Sequence, residues 1–183
     1  MATLLSEVKE STRRVSALVA TVKSYTQMDR ASMQDVDVAS GLESTLAMLG
    51  HKIGDGVQVV REYDSDAPTV SAYAGELNQV WTNLIDNAVY AMDGAGTLRV
   101  VTRVDGDGVV VEIGDTGSGM PPAVVDRAFE AFYTTKDVGH GTGLGLDIAR
   151  RIVVERHGGT IAIRSQPGDT VIAVRLPVRG RAA

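Results

Sequence analysis

The sequence has no cysteine, no long apolar run and no dense group of basic residues. Without cysteine, a disulfide framework and a thiolate metal site are excluded, and a reducing compartment, the cytoplasm, is the expected location. No apolar segment approaches the ~20 residues that cross a bilayer, and the first residues lack the apolar core of a signal peptide, so we expect no membrane contact within this chain. Basic residues form only short pairs and the net charge is −5. Nucleic acid is therefore not an expected partner.

The 183 residues, of which 44% are hydrophobic, suffice for one globular domain and an appended arm. The first part of the chain carries a heptad seam, which predicts one long helix over residues 1–31. Such a helix has a single apolar stripe and needs a partner, so a homodimer or a helical hairpin is expected, with packing on the same domain as the alternative. The seam consists of Leu4, Val8, Ser11, Val15, Leu18, Val22 and Tyr25.

The remaining chain alternates helical and strand patterns. Residues 29–37 are interpreted as a polar joint, and Ser40 is predicted to cap the next helix. Together the patterns predict an α/β (α+β) two-layer sandwich, a mixed and mostly antiparallel sheet with helices on one face, over residues 36–178, with a frayed tail at 179–183. The predicted helices are 40–53, 75–92, a short one after Pro121, and 144–156; the predicted strands are 57–63, 97–104, 109–115, 159–165 and 170–176.

The 75–92 helix has two faces. Trp81 and its apolar neighbours form a face that is predicted to be buried. Polar residues recur at three- and four-residue spacing on the other face, which indicates a polar ligand or, alternatively, a solvated surface. These residues are Glu76, Gln79, Asn83, Asp86, Asn87 and Tyr90.

Two glycine-rich loops suggest a nucleotide. Asp115 ends an apolar strand and is followed by Gly117 and Gly119, so its carboxylate is able to accept a hydrogen bond from an adenine amino group; a simple turn is the alternative. Residues 139–146 lead directly into a helix, whose free N–H groups favour phosphate; a flexible surface loop is the alternative. Neither the P-loop ending nor the dinucleotide-binding spacing is present. Just upstream, packing in the core would explain Phe129 and Phe132, whereas Lys136 is a candidate for closing over a terminal phosphate.

Taken in order, four segments resemble the N, G1, F and G2 boxes of sensor histidine kinases, and thus the GHKL superfamily with its Bergerat ATP-binding fold. The segments are residues 83–88, 115–119, 129–136 and 139–146. Tyr90-Ala91-Met92 and the Phe-Tyr-Thr-Thr-Lys run resemble the nitrogen-regulation branch. The resemblance implies ATP and Mg²⁺ as cofactors.

The resemblance also implies roles for individual residues. Asn87 is expected to coordinate Mg²⁺, Asn83 to position the metal or an attacking group, and Asp115 to bind adenine, with Asn83 and Asn87 as the catalytic pair. Asn oxygen is a suitable ligand for a hard cation. The full set expected to bind the nucleotide is Asn83, Asp86, Asn87, Tyr90, Asp115, Gly117, Gly119, Met120, Phe132, Thr135, Lys136, Gly139, His140, Gly141, Thr142, Gly143, Leu144 and Gly145.

The same resemblance implies transfer of the ATP γ-phosphoryl group to a histidine outside this chain. The arm resembles the second helix of a phosphoacceptor hairpin, yet no histidine precedes Val36, so the chain is interpreted as a fragment that begins within that hairpin. The implied partners are a second copy bound through the arm, the phosphoacceptor helical hairpin and a response regulator receiver domain.

Three alternatives remain open at this point. A serine-phosphorylating relative of the anti-sigma type usually has no heptad arm. A DNA-repair, topoisomerase or chaperone-type ATPase uses a glutamate base where this chain has Asn83. A degenerate nucleotide-binding relay module is favoured only by Tyr90, which stands where many kinases of the family carry a basic residue. The three histidines, His51, His140 and His157, are far apart in the sequence, and each is interpreted as structural or exposed.

Overall fold

The computed structural model describes residues 32–136 and 141–178. The predicted arm at 1–31, the tail at 179–183, and Gly139 and His140 of the candidate phosphate loop lie outside the described residues. None of the helices within the described ranges is both long and apolar enough to span a bilayer.

The described chain alternates helices with strands, in close agreement with the predicted patterns. The helices are α1 (Val38–Ile53), α2 (Ala74–Met92), α3 (Pro122–Val125) and α4 (Gly145–Arg151). The strands are β1 (Gln34–Val36), β2 (Val57–Tyr63), β3 (Val70–Ala72), β4 (Gly96–Asp105), β5 (Gly108–Asp115), β6 (Thr160–Gln166) and β7 (Asp169–Pro177).

The main sheet has five strands in the order β2-β4-β5-β7-β6. Only β2 and β4 run parallel, and the other neighbours are antiparallel, which confirms the mixed, mostly antiparallel sheet. Strand β5 lies at its centre and ends in Asp115, so the fold fixes this carboxylate between two hydrogen-bonded neighbours. The separate pairing of β1 with β3 was not predicted, because three-residue strands are too short to show an alternating pattern.

A single hydrophobic core lies between the sheet and the helices. Alternate residues of β4, β5 and β7 face it, including Leu98, Ile113 and Val174. The apolar face of α2 packs against them, and Trp81 is fully buried, as predicted. Because this face is anchored in the core, the opposite, polar face of α2 is held in a fixed orientation.

Helix α1 begins earlier than predicted. Asp37, rather than Ser40, is its N-cap, and the Asp37 carboxylate accepts hydrogen bonds from the N–H groups of Ala39 and Ser40 at 3.0 and 3.3 Å. The prediction of Ser40 was wrong because a carboxylate three residues upstream can serve the same orphan donors.

The last helix was predicted as one continuous element over 144–156, but it changes to a π-helix at Ile152–Arg156. The wider turn brings His157 inward, where its Nδ1–H donates to the Ile152 carbonyl at 2.9 Å and Nε2 accepts from the Tyr73 N–H at 3.2 Å. The His157 ring is buried, as expected for a structural histidine. Next to it, Arg156 binds the buried Glu76 carboxylate with a shortest distance of 2.8 Å. This cluster joins the start of α2 to the end of the last helix.

Candidate ATP-binding site

A cavity of about 350 Å³ lies between the polar face of α2 and the loops that follow β5 and precede α4. Asn83, Asp86, Asn87 and Tyr90 line it from one side, spaced so that they share one helical face. The polar face of α2 therefore forms one wall of a concave site. The Asn83 side-chain amide also donates to the Gly145 carbonyl at 3.0 Å and so ties α2 to the first turn of α4.

Asp115 lines the cavity and is only 8% exposed. One carboxylate oxygen accepts a hydrogen bond from the Gly117 N–H at 2.9 Å, which leaves the second oxygen to accept from a ligand. Burial raises the pKa of Asp115, the hydrogen bond from Gly117 opposes that effect, and the nearby charge of Asp169 adds to the rise. The arrangement suits a ligand that presents an amino group.

The loop after Asp115 is held in place from two directions. Ser118 N–H donates to the Ala91 carbonyl at 3.0 Å, and a side chain at Gly117 would meet the Ala91 backbone at 2.5 Å, so only glycine permits this approach to α2. On the other side, Met120 N–H donates to the Ser165 hydroxyl at 2.8 Å. The loop is thus fixed by α2 and by the β6–β7 hairpin.

The described part of the second glycine loop, from Gly141 to Gly145, forms the mouth of the cavity. Gly143 has φ +69, and a Cβ there would lie 2.4 Å from the backbone of Phe132. The Phe132 N–H donates to the Gly143 carbonyl at 2.8 Å, and Phe132 itself has a left-handed backbone, φ 66. This contact joins the segment around Phe132 to the second glycine loop.

Lys136 enters the cavity from the loop opposite α2. Its ammonium donates to Asn87 Oδ1 at 2.8 Å and lies 4.2 Å from the centre of the Tyr90 ring. Burial lowers the pKa of Lys136, the charge of Asp86 opposes this and the charge of Lys52 adds to it. Asp86, in turn, is bound by Lys52 of α1 at 2.6 Å. The cavity therefore presents the Asp115 carboxylate as an acceptor and, in contact with the Asn87 amide, a lysine cation.

Comparison with known proteins identifies the family. Residues 73–180 match the model of the histidine kinase-, DNA gyrase B- and HSP90-like ATPases. The chain belongs to this ATPase family. The matched range includes every described residue of the cavity. This part of the chain is the ATP-binding catalytic domain of a two-component sensor histidine kinase.

Similar curated proteins are sensor kinases. The chain is 32% identical to the sensory histidine kinase/phosphatase NtrB of Rhodobacter capsulatus, over 93% of this chain and 51% of that protein. It is 30% identical to sensor kinase CckA of Brucella abortus, over 94% of this chain and 20% of that protein. The likeness to NtrB confirms the resemblance to the nitrogen-regulation branch. The chain spans about half the length of NtrB and much less of CckA.

Solved structures agree on the fold. The nucleotide-free catalytic domain of histidine kinase ThkA superposes with a TM-score of 0.73 at 26% identity, covering 80% of this chain and 98% of that one. Full-length ShkA in complex with AMPPNP gives 0.72 at 29% identity, covering 84% and 33%. A complex of ThkA with the response regulator TrrA gives 0.74 at 22% identity, covers 94% and 50%, and shows the shared fold alone.

The structure of this ATPase domain brings together most of the residues expected at the nucleotide. Thirteen line the cavity: Asn83, Asp86, Asn87, Tyr90, Asp115, Gly119, Met120, Thr135, Lys136, Gly141, Thr142, Gly143 and Gly145. Gly117 and Leu144 do not line it, although each adjoins a lining residue.

Phe132 differs from the expectation most. Its side chain is 63% exposed and does not line the cavity, so neither the expected core packing nor a ring contact inside the cavity is present. The reason is the left-handed backbone, which directs the main chain rather than the ring toward Gly143.

Among the lining residues that the sequence did not reveal are Thr170 and Ile172. They lie on β7, where Thr170 pairs with Asp115 and Ile172 pairs with Ile113. Their place in the cavity depends on the pairing of β5 with β7, for which the local sequence carries no signal. The Thr170 hydroxyl shares a hydrogen bond with Ser165 at 2.7 Å, which links this wall of the cavity to the loop of Met120.

The donor set is compatible with a magnesium ion that arrives on a nucleotide. Asn87 Oδ1 already binds a cationic group, the Lys136 ammonium, so this oxygen is directed at the position of a positive charge. Within residues 32–136 and 141–178, no group of three His, Cys, Asp or Glu side chains forms a metal site. Mg²⁺ typically takes one or two protein oxygens and completes its shell with phosphates and waters. Asn87 fits that limited role.

Proposed function

We propose that the whole protein is an ATP-dependent protein histidine kinase and that this domain transfers the γ-phosphoryl group of ATP to a histidine outside the chain. The observation that carries the proposal is the cavity itself: it combines a buried carboxylate, two asparagines on one helical face and a glycine loop at a helix N-terminus. Each of these groups suits a different part of ATP.

In the proposed complex, Asp115 accepts a hydrogen bond from the adenine amino group through the oxygen that Gly117 leaves free. The N–H groups of the loop before α4 approach the phosphates, and Lys136 supplies a cation. Asn87 is the protein ligand of Mg²⁺, which neutralises phosphate charge when bound. Asn83, whose side-chain amide donates to the Gly145 carbonyl, positions the metal or the attacking group.

The reaction needs positioning more than covalent chemistry by the protein. A neutral imidazole nitrogen of the phosphoacceptor attacks the γ-phosphorus, the bond from that phosphorus to the β–γ bridging oxygen breaks, and ADP leaves with the bond electrons. The imidazole proton passes to solvent. The in-line approach requires the histidine to reach the open mouth of the cavity, and none of the described histidines lies there: His51 is on α1 and His157 is buried.

We further propose the partners and the location that follow from this role. The arm at 1–31 would pair with a second copy and form part of the phosphoacceptor hairpin, and a response regulator receiver domain would accept the phosphoryl group next. Residues 36–178 would act as the catalytic domain and 179–183 as a flexible tail, in the cytoplasm. The likeness to NtrB and CckA, both sensor kinases, supports this assignment.

The test is phosphoryl transfer in trans. The chain is incubated with γ-labelled ATP, alone and with a separate fragment that carries the complete helical hairpin. We expect acid-labile, alkali-stable label on the hairpin and none on the chain alone. The matched control is a hairpin in which the phosphoacceptor histidine is replaced by glutamine.

Three outcomes would contradict the proposal in different ways. Acid-stable label on an added protein would indicate a serine kinase of the anti-sigma type. Strong acid-labile label on the chain alone would show that its own histidines accept phosphate. ATP binding without any transfer to the hairpin would indicate a relay module.

A further inference from the structure

The cavity offers little positive charge to a polyphosphate. Among its described lining residues, Lys136 is the single Lys or Arg, and Asp86 adds a negative charge. Lys52 binds the Asp86 carboxylate at 2.6 Å, so the charges of these two residues largely compensate each other. Any direct ionic contact from the described residues to the nucleotide phosphates therefore depends on where the Lys136 ammonium is held.

Two residues of α2 hold that ammonium. Asn87 Oδ1 accepts its hydrogen bond at 2.8 Å, and the Tyr90 ring lies under it, 4.2 Å from ring centre to Nζ. Asn87 and Tyr90 are three residues apart and so project from the same side of the helix. The Tyr90 side chain is 43% exposed and is not part of the hydrophobic core, and its ring contacts the Lys136 ammonium.

The two contacts respond differently to a nucleotide carrying Mg²⁺. Asn87 Oδ1 cannot serve a lysine ammonium and a divalent ion at close range, because two cations on one oxygen repel each other. The face of an aromatic ring competes for neither the metal nor the phosphates and can keep the ammonium nearby. The Tyr90 ring can therefore hold the Lys136 ammonium while Asn87 Oδ1 binds the metal ion.

We infer that Tyr90 is a positioning residue: its ring keeps the Lys136 ammonium beside Asn87, so that this one cation meets the terminal phosphates of the bound nucleotide. This inference rests on the proposed function, because it presupposes that the cavity binds ATP. Helix α2 has no Lys or Arg of its own, and the Tyr90 ring compensates for this by holding the Lys136 ammonium beside the helix.

The test compares ligands and variants by calorimetric titration, with ATP titrated directly and adenosine measured by displacement. Removing the cation in Lys136→Met should weaken ATP binding roughly ten- to hundredfold. Removing the ring in Tyr90→Leu should weaken it roughly three- to tenfold, while Tyr90→Phe should bind ATP like the wild type, since phenylalanine keeps the cation–π contact. None of these changes should alter adenosine binding, because adenosine has no phosphate.

A double-mutant cycle separates positioning from a merely structural role. In the Lys136→Met background, Tyr90→Leu should have no further effect on ATP binding, since the ring then has no ammonium to hold. The charge-matched control is Arg103→Met. Arg103 is an exposed cation on β4, outside the cavity, and pairs with Glu112 on β5. This variant should bind ATP like the wild type.

Several results would overturn the inference while leaving the proposed function intact. They are an equal loss of ATP and adenosine binding in Tyr90→Leu, an undiminished effect of Tyr90→Leu in the Lys136→Met background, or a Tyr90→Phe variant as weak as Tyr90→Leu. A wild-type chain that binds neither ATP nor adenosine would instead remove the proposed function, and the inference with it.

Discussion

Replacing Asp115 by asparagine changes one oxygen to an amino group without changing the shape of the side chain. The carboxylate must serve two donors, the Gly117 N–H at 2.9 Å and, in the proposed complex, the adenine amino group. Asparagine offers one acceptor oxygen, so one donor would face an NH₂ group. Leaving a buried donor unsatisfied costs about 1–3 kcal/mol, which corresponds to roughly a ten- to hundredfold loss of ATP affinity.

The same substitution should have the opposite effect on the stability of the empty protein. Burial raises the pKa of Asp115 above its ordinary value of 3.8, which means that the folded state binds the proton more tightly than the unfolded state. The folded protein therefore loses stability as the pH rises from 3.8 through the higher folded-state pKa. Asp115→Asn carries no such charge and should unfold at a higher temperature than the wild type at pH 7.

Two measurements decide this prediction. Titration calorimetry gives the affinities for ATP and GTP, and thermal unfolding without nucleotide is followed across the acid range. We expect weaker ATP binding, a smaller preference for ATP over GTP because the new NH₂ group can donate to guanine O6, and a higher melting temperature. Asp55→Asn, which changes an exposed carboxylate in the turn between α1 and β2, outside the cavity, is the matched control. Unchanged ATP affinity in Asp115→Asn would remove Asp115 from the adenine site, and a lower melting temperature would refute the electrostatic argument.

Further predictions concern the metal ligand, the buried ion pair and the glycine loop. Asn87→Ala should lose most of the dependence of ATP affinity on Mg²⁺, measured by titration with and without the metal, whereas a wild-type metal response would contradict the ligand assignment. Glu76→Gln should lower the free energy of unfolding in urea by about 2 kcal/mol, because the buried partner of Arg156 loses its charge, and a change near zero would show that this pair adds no stability. Gly143→Ala should unfold more readily and bind ATP more weakly than Gly168→Ala: both glycines have positive φ, but only Gly143 would place a Cβ against a neighbouring backbone. Equal behaviour of the two glycine variants would show that the approach of Phe132 to Gly143 is unimportant.

Much of the fold was predictable because its elements are long enough to show their periods. The apolar residues of α2 recur over five turns, and β4 and β5 alternate around a glycine hairpin, so their bounds were predicted within one or two residues. The three-residue strands β1 and β3 carry no period and were missed. The π-helical end at Ile152–Arg156 was missed as well, because its residues are ordinary helix formers and tertiary contacts of His157 decide the turn.

In the candidate site, too, the residues that belong to a local sequence pattern were predicted, and those that depend on contacts between distant segments were not. Asn83, Asn87 and Asp115 were predicted because each stands in a local pattern, a helical face or a strand end, that leaves a polar group unexplained. The approach of Lys136 to Tyr90 joins two segments far apart in the chain, and no local pattern contains it. Thr170 enters the cavity only through the register between β5 and β7. Phe132 was wrongly expected to be packed, because the sequence shows an apolar aromatic residue but not the left-handed backbone that turns its ring outward.

The β6–β7 hairpin has a consequence for how the protein is made. Its strand β7 pairs with β5 at the centre of the sheet, and its turn binds the loop after Asp115 through the Gly168 N–H and the Gly117 carbonyl, 2.9 Å apart. These residues are synthesised after both glycine loops and Asp115. A nascent chain halted before residue 160 would hold nearly every residue that lines the cavity, yet the wall beside Asp115 would be missing. The ability to bind ATP would thus be acquired late, in one step, when the last two described strands join the sheet, and a truncated translation product would compete poorly for the nucleotide.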